Sequence, residues 1–107
     1  MKMIMAIVQD KDSARLSNHF IEANIRATKL SSTGGFLKEG NSTFIIGIHD
    51  ERVEEALEII KETCKARTQF VTSPIAMNMN VEVPAPVEVE VGGATVFVLP
   101  IESFHSF

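Results

Sequence analysis

The chain has 107 residues, of which 45% are hydrophobic and 22% charged, and its formal net charge is -4. This length predicts one domain with one modest core, and this composition excludes a wholly disordered chain. The acidic balance excludes a general nucleic-acid binder, because binding along a phosphate backbone needs a basic face. An anionic ligand would therefore have to be held by a local site that works against the overall charge.

The cysteine content and the N-terminal segment predict a soluble protein of a reducing compartment. The single Cys64 excludes an internal disulfide framework. The apolar run at residues 3–8 is short and ends at Gln9 and Asp10 without a cleavage site, so no signal peptide is expected. No stretch approaches the roughly 20 apolar residues of a membrane span. We expect a cytoplasmic protein that has no membrane partner.

The first apolar run and the residues after it predict a strand followed by a helix. Residues 3–8 are continuously apolar, which is typical of a strand buried on both faces. Asp10 and Asp12 are candidate N-caps of the helix. Asn24 is a candidate C-terminal residue, because asparagine tolerates the left-handed conformation. The apolar positions on one face of this helix are Leu16, Phe20 and Ala23.

The next segment predicts two strands and a second helix. Residues 25–33 and 43–48 are typical of strands, and three glycines lie in the connection between them. Asp50 is the expected N-cap of the second helix, and glutamates follow near the positive end of its dipole. The core stripe of this helix has helical spacing: Val53, Leu57, Ile60 and Cys64.

The region after the second helix has a different composition. Residues 66–86 contain three prolines and a polar tract with alternating methionines, which predicts a long loop with short extended pieces. Valines alternate with glutamates over residues 87–91, as in a strand with one acidic face. Gly92 and Gly93 indicate a hairpin turn, and residues 95–99 are the predicted returning strand.

The predicted elements follow the order β-α-β-β-α, an insertion, and a final strand. This is the order of a ferredoxin-like β-α-β-β-α-β sandwich of the α+β class, in which two helices cover one face of an antiparallel sheet. Residues 1–107 are predicted to be one such domain, with an enlarged loop after helix two. The uncovered sheet face would expose apolar side chains, so we expect an oligomer with two-fold or three-fold symmetry.

Few residues could support catalysis or metal binding. The three histidines are scattered, and no two of them lie three or four residues apart, so we expect no metal site. Cys64 falls on an apolar stripe, which favours a buried inert thiol over a nucleophile. Residues 9–12 are acidic and contain no glycine, unlike the phosphate loop of acylphosphatase-type enzymes. We therefore expect neither an enzyme nor a cofactor.

One segment combines residues that suit a small phosphate-containing ligand. Arg26 and Thr28 are two residues apart on a predicted strand, so they share a face and could hold one phosphate. Gly34 and Gly35 allow backbone N–H groups to approach a ligand. Phe36 offers an aromatic face on which a nucleobase could stack.

Two further residues extend this pattern. Asn41 can donate to and accept from an adenine edge. Gly47 weakens its strand, which is explained by a flat ring or another backbone lying close. Each of these residues also has an ordinary structural explanation, as part of a surface ion pair, a turn or the core. From the residues alone, both interpretations stay open.

Longer motifs extend over nearly the whole chain. They are Met1-Lys2-Met3-Ile4, Ala6-Ile7-Val8-Gln9-Asp10, Arg26-Ala27-Thr28-Lys29-Leu30, Thr33-Gly34-Gly35-Phe36-Leu37, Gly40-Asn41, and residues 86–100 and 104–107. These motifs resemble the bacterial PII-like cyclic-di-AMP receptor family. The resemblance implies a homotrimer of ferredoxin-like subunits, related in fold to the nitrogen-regulatory PII proteins, that binds cyclic di-AMP in clefts between subunits.

The resemblance also implies roles for individual residues. By this resemblance, a phosphate is held by Asn24, Arg26, the Ala27 backbone and Thr28. One adenine is enclosed by Gly35, Phe36 and Leu37, with Asn41 and Gly47 against its edge and face. Phe97 lines the cleft. We therefore expect a non-enzymatic second-messenger receptor that binds cyclic di-AMP and signals to a protein target by loop ordering. Two alternatives stay open: a PII-type regulator that senses ATP or another adenine nucleotide, and a trimeric metal-tolerance or structural module.

Overall fold

The computed structural model describes residues 1–31, 40–71 and 87–107. In chain order the elements are β1 (Lys2–Gln9), α1 (Asp10–Glu22), β2 (Thr28–Ser31), β3 (Asn41–Ile48), a 3-10 turn (Asp50–Arg52), α2 (Val53–Cys64), β4 (Arg67–Val71), β5 (Val87–Val91) and β6 (Ala94–Pro100). No helix in the described ranges is long and apolar enough to cross a lipid bilayer.

The strands form two separate antiparallel sheets. The larger sheet has four strands in the order β2-β3-β1-β6, and β4 pairs with β5 in a two-stranded ribbon. Both helices pack on the same face of the larger sheet. This small α+β architecture is compatible with the predicted ferredoxin-like sandwich, with the ribbon inserted between α2 and the last strand.

The core lies between the helices and one face of the larger sheet. Every second residue of β1 is buried in this layer, as the period of a strand requires. The rings of Phe20 and Phe44 meet edge to face with centroids 6.1 Å apart, a contact that contributes about 0.5 to 1.5 kcal/mol beyond area burial. The predicted helix stripes are confirmed: Leu16, Phe20, Ile60 and Cys64 are buried, and Ala23, Val53 and Leu57 pack at the edge of the core.

The prediction that the first strand is buried on both faces is wrong for the single chain. The helices cover only one side, so the alternate residues of β1 are only partly buried. We call the uncovered side the open face, and its apolar residues are Met3, Met5 and Ile7 of β1, Ile45 of β3, and Phe97 and Leu99 of β6. Phe97 is 51% and Leu99 40% exposed. The open face is therefore a contiguous apolar surface that crosses three strands.

The predicted N-caps are also wrong. The N-cap of α1 is Gln9, and no side chain caps this helix. Asp10 instead accepts a hydrogen bond from Ser42 (2.5 Å), and Asp12 is bound by an arginine of β4. Asp50 lies inside the 3-10 turn, which has no side-chain cap. The carboxylates of Asp10 and Asp12 therefore bind side chains that are distant in sequence and do not cap the helix.

The second strand is shorter than predicted. Residues 25–27 are not part of the sheet, because Ile25 closes the end of α1: its N–H donates to the Phe20 carbonyl at 2.8 Å and its side chain is buried. Pairing with β3 begins at Thr28, opposite Ile45. The predicted third strand, by contrast, is confirmed as β3.

The two-glycine turn does not form the predicted hairpin. The strand before it, β5, pairs with β4, and the strand after it, β6, pairs with β1. Both Gly92 and Gly93 have positive φ, 85° and 90°, which lets the chain leave the ribbon and enter the larger sheet. The ribbon also supplies the short extended piece expected after α2, while residues 72–86 lie outside the described residues.

Candidate ligand-binding site

The turn after α1 presents the predicted phosphate-holding group. Asn24 has the left-handed conformation expected of it, with φ 57°. Its N–H donates to the Ile21 carbonyl at 3.0 Å, which closes the helix. The next residue, Ile25, is buried and anchors the turn, so Arg26 is directed to the surface and is exposed. An ordered backbone with an exposed guanidinium is the arrangement that a small anion requires.

Two shallow depressions share Asn24 and Arg26. One, of about 420 Å³, is also lined by Ala27 and Thr28. The other, of about 180 Å³, is also lined by Gly47 of β3. The structure therefore brings together five of the residues that the resemblance implicated.

The described part of the chain leaves enough room for a side chain at position 47, yet this residue is glycine. A Cβ at this position would meet only the Ile101 side chain, at 3.9 Å, which is an ordinary contact. Its φ is not in the left-handed region, so the backbone does not require glycine either. Gly47 pairs with Met3 and lies on the open face. The missing side chain thus leaves room for something outside the described part of the chain.

Asn41 lies at the other end of the same strand. Residues 41 and 47 are separated by six steps along β3, roughly 20 Å at the rise of a strand. Asn41 lines a different depression of about 410 Å³, together with Gln9, Gly92 and Thr95. The expectation that Asn41 and Gly47 contact one adenine is therefore wrong for two residues of the same chain, because a single ring cannot reach both.

Phe97, the remaining predicted residue that the structure describes, is not close to the turn after α1. Phe97 lies on the open face of β6, beside Met5. Because the strand order is β2-β3-β1-β6, three strand spacings, roughly 14 Å, separate Phe97 from β2. The adenine wall of Gly35, Phe36 and Leu37 lies outside the described residues.

Polar contacts that the sequence did not predict hold the base of the ribbon. Asp12 is 1% exposed, and both of its oxygens accept from Arg67, at 2.7 and 3.3 Å. This contact raises the pKa of the Arg67 guanidinium, chiefly through the hydrogen bond to Asp12. Gln9 accepts from the Gly92 N–H at 2.7 Å. The only available sequence signal was an aspartate and an arginine far apart in the chain, which does not identify a pair.

The chemistry of Cys64 agrees with the predicted inert thiol. The side chain is buried. Burial raises the pKa of the Cys64 thiol to about 11, and the nearby Asp12 carboxylate raises it further. The thiol is therefore protonated at neutral pH and is a poor nucleophile. The described ranges contain no group of three or more His, Cys, Asp or Glu that could hold a metal ion.

Two comparisons with known proteins cover the chain from end to end. A family model described as "Cyclic-di-AMP receptor" matches residues 1–107. The chain is also similar to a crystal structure of a functionally unknown protein from Pediococcus pentosaceus ATCC 25745. The two sequences are 53% identical, the TM-score is 0.79, and the match covers 99% of this chain and 96% of that chain. Both comparisons therefore include the turn after α1, the open face and the ribbon.

Proposed function

We propose that this chain, which belongs to the cyclic-di-AMP receptor family, is a non-enzymatic receptor that binds cyclic di-AMP between copies of itself. The observation that carries the proposal is the family match over residues 1–107. In the proposed function, binding changes the surface that the assembled receptor offers to another protein of the cytoplasm.

The turn after α1 supports phosphate binding. Arg26 is exposed, and within the described residues it takes part in no ion pair, so its guanidinium keeps its donors for a ligand. A charge-assisted bond from Arg26 and a hydroxyl bond from Thr28 fit one phosphate. The Asn24 amide, which lines both depressions, can complete the contact. This local cation arrangement is how an acidic chain can hold a small anion.

The open face supports assembly into a homotrimer. It is apolar across three neighbouring strands, and an uncovered surface of this kind is typical of a protein–protein interface. Gly47 lies on this face with no reason to be glycine in the described part of its own chain. Gly47 and Asn41 lie roughly 20 Å apart along β3, so in the proposed assembly they would contact one ligand only from two different copies.

The proposed signal is the ordering of two loops around the ligand, the connection between β2 and β3 and the long loop after α2, whose central residues lie outside the described residues. Contacts of Gln9 support a connection between the strands that follow these two loops. Gln9 pairs with Asn41 in the sheet, and its side chain accepts from Gly92 at the base of the ribbon. A ligand that binds one conformation more tightly would shift both loops together.

Calorimetric titration with cyclic di-AMP, cyclic di-GMP and ATP tests the proposal. We expect saturable binding of cyclic di-AMP at micromolar concentration or below, and clearly weaker binding of the other two nucleotides. Light scattering after size exclusion should give a mass three times that of the chain. Absence of cyclic di-AMP binding would overturn the proposed receptor function. Tighter binding of ATP than of cyclic di-AMP would indicate a mononucleotide sensor instead.

A further inference from the structure

Arg52 closes the end of α1 from a distant part of the chain. It is the last residue of the 3-10 turn, and its guanidinium donates to the carbonyl oxygens of Ala23 at 2.8 Å and Asn24 at 3.2 Å. An α-helix leaves its last carbonyl groups without partners, and a cation is favourable at this end of the helix dipole. Arg52 therefore satisfies the backbone at the residues that begin the proposed ligand site.

Glu55 holds this guanidinium in position. The Arg52 Nε donates to one carboxylate oxygen and Nη2 to the other, both at 3.1 Å. This bidentate arrangement fixes the plane of the guanidinium as well as its distance. With four hydrogen bonds already made, Arg52 cannot turn toward a ligand without releasing Glu55 or the turn.

We propose that Arg52 is a positioning residue for the ligand site, which fixes the turn that carries Asn24 and Arg26 and does not itself bind the ligand. The inference rests on the proposed function. The turn is closed by the Asn24 N–H bond to the Ile21 carbonyl and by the two Arg52 bonds to the Ala23 and Asn24 carbonyls. A turn that is already ordered loses less conformational entropy when the ligand binds, so the ligand is held more tightly.

A direct contact between Arg52 and a phosphate is the competing explanation, because Arg52 also lines the smaller depression. The two explanations differ in their prediction for Glu55→Ala. Removing Glu55 frees the guanidinium, so a direct contact predicts equal or tighter binding. A positioning role predicts weaker binding, because the guanidinium then holds the turn less firmly.

The experiment compares cyclic di-AMP affinity in the wild type and four variants. We expect Arg52→Ala to bind about tenfold more weakly, which corresponds to about 1.4 kcal/mol. Arg52→Lys should show most of this tenfold loss of affinity, because lysine keeps the charge but lacks the planar guanidinium. Glu55→Ala should bind about threefold more weakly, from the smaller loss of order. Lys61→Ala, which removes one exposed charge from α2, should bind like the wild type.

A second measurement tests the turn without any ligand. The Asn24 and Ile25 amides donate to carbonyls of α1, so their hydrogen exchange reports how firmly the turn is closed. We expect faster exchange of these two amides in Arg52→Ala and wild-type exchange in Lys61→Ala. Amides of β1 should stay protected in both variants, which establishes that the fold is intact.

The outcomes separate this inference from the proposed function. If the wild type does not bind cyclic di-AMP, the proposed function is overturned, and the inference that rests on it falls with it. If the wild type binds and Arg52→Ala binds equally well, only the inference is overturned. Tighter binding by Glu55→Ala, or wild-type affinity in Arg52→Lys, would likewise contradict a positioning role.

Discussion

Each helix ends beside an arginine that follows it in the chain, Arg52 far from α1 and Arg67 directly after α2, and the two arginines differ in how buried their partners are. At the end of α1, Arg52 binds exposed backbone carbonyls and the half-exposed Glu55. At the end of α2, Arg67 crosses to Asp12, which is fully buried beneath the ribbon. The first arrangement leaves its neighbours at the surface, where a ligand can reach them. The second joins the ribbon to α1 through a carboxylate that is 1% exposed. The proposed positioning role of Arg52 and the structural role of Arg67 thus differ in the burial of the partner and not in the residue type.

The largest loss of stability should follow from removing the arginine that pairs with the buried carboxylate. Arg67→Ala leaves Asp12, which is 1% exposed, with the longer Arg15 contact at 3.4 Å, and we expect a loss of about 3 kcal/mol, the lower end for a broken buried pair. Urea unfolding at fixed protein concentration measures this. The control is Glu62→Ala, which breaks an exposed pair with Lys65 at 3.9 Å and should cost less than about 1 kcal/mol. Equal losses in the two variants would refute the contrast.

The glycines at the ribbon base allow a matched pair of substitutions. A Cβ on Gly92 would lie 2.5 Å from the Lys65 carbonyl oxygen, whereas a Cβ on Gly93 would have no neighbour within 4 Å. Both have positive φ, so each alanine carries backbone strain of about 1 kcal/mol. Gly92→Ala should lose about 2 kcal/mol more, from the steric clash. Similar unfolding free energies would mean that the ribbon base is loosely packed.

A substitution in the exposed turn after α1 should change the affinity for the ligand but not the stability of the fold. We expect Arg26→Ala to weaken cyclic di-AMP binding by about 1.5 to 3 kcal/mol, the range for a charged hydrogen bond. Its unfolding free energy should stay within about 0.5 kcal/mol of the wild type, as for other surface substitutions. Calorimetry and urea unfolding on the same sample measure both quantities. Unchanged affinity would place the phosphate site elsewhere.

The smallest expected effect is the alkaline response of the buried thiol. The pKa of Cys64 rises from 9.0 to about 11 on folding, so its contribution is complete below pH 9 and is lost between pH 9 and 11. At pH 10 this loss amounts to about 1.4 kcal/mol. The difference in unfolding free energy between the wild type and Cys64→Ala, followed from pH 7 to 10, isolates this contribution. A constant difference would mean that the folded thiol titrates normally.

Periodicity and turn chemistry predicted the main elements but not their partners. The apolar stripes of both helices and the alternation in β5 are local properties, so they could be read from neighbouring residues. The hairpin at Gly92 and Gly93 failed because a glycine pair indicates a turn without indicating which strand pairs with which. The caps failed at Asp10 and Asp12 because residues more than 25 positions away bind those carboxylates.

The same distinction applies to the site. Asn24, Arg26 and Thr28 are close in sequence, so residue type and family resemblance were enough to group them. Arg52 contacts this turn across 28 residues, and no spacing rule connects the two segments. Its proposed role depends on how the 3-10 turn packs beside the end of α1, which is a property of the folded chain.

The open face has a consequence for the lifetime of the protein. Two of its residues, Met3 and Met5, carry thioethers that oxidants convert to polar sulfoxides. Both side chains are only partly buried in a single copy before it assembles, and assembly through the open face in the proposed trimer would cover them. A copy that is oxidised during this interval carries polar groups on the surface it needs for assembly. Assembly would then act as a quality filter that keeps chemically intact copies in the receptor pool.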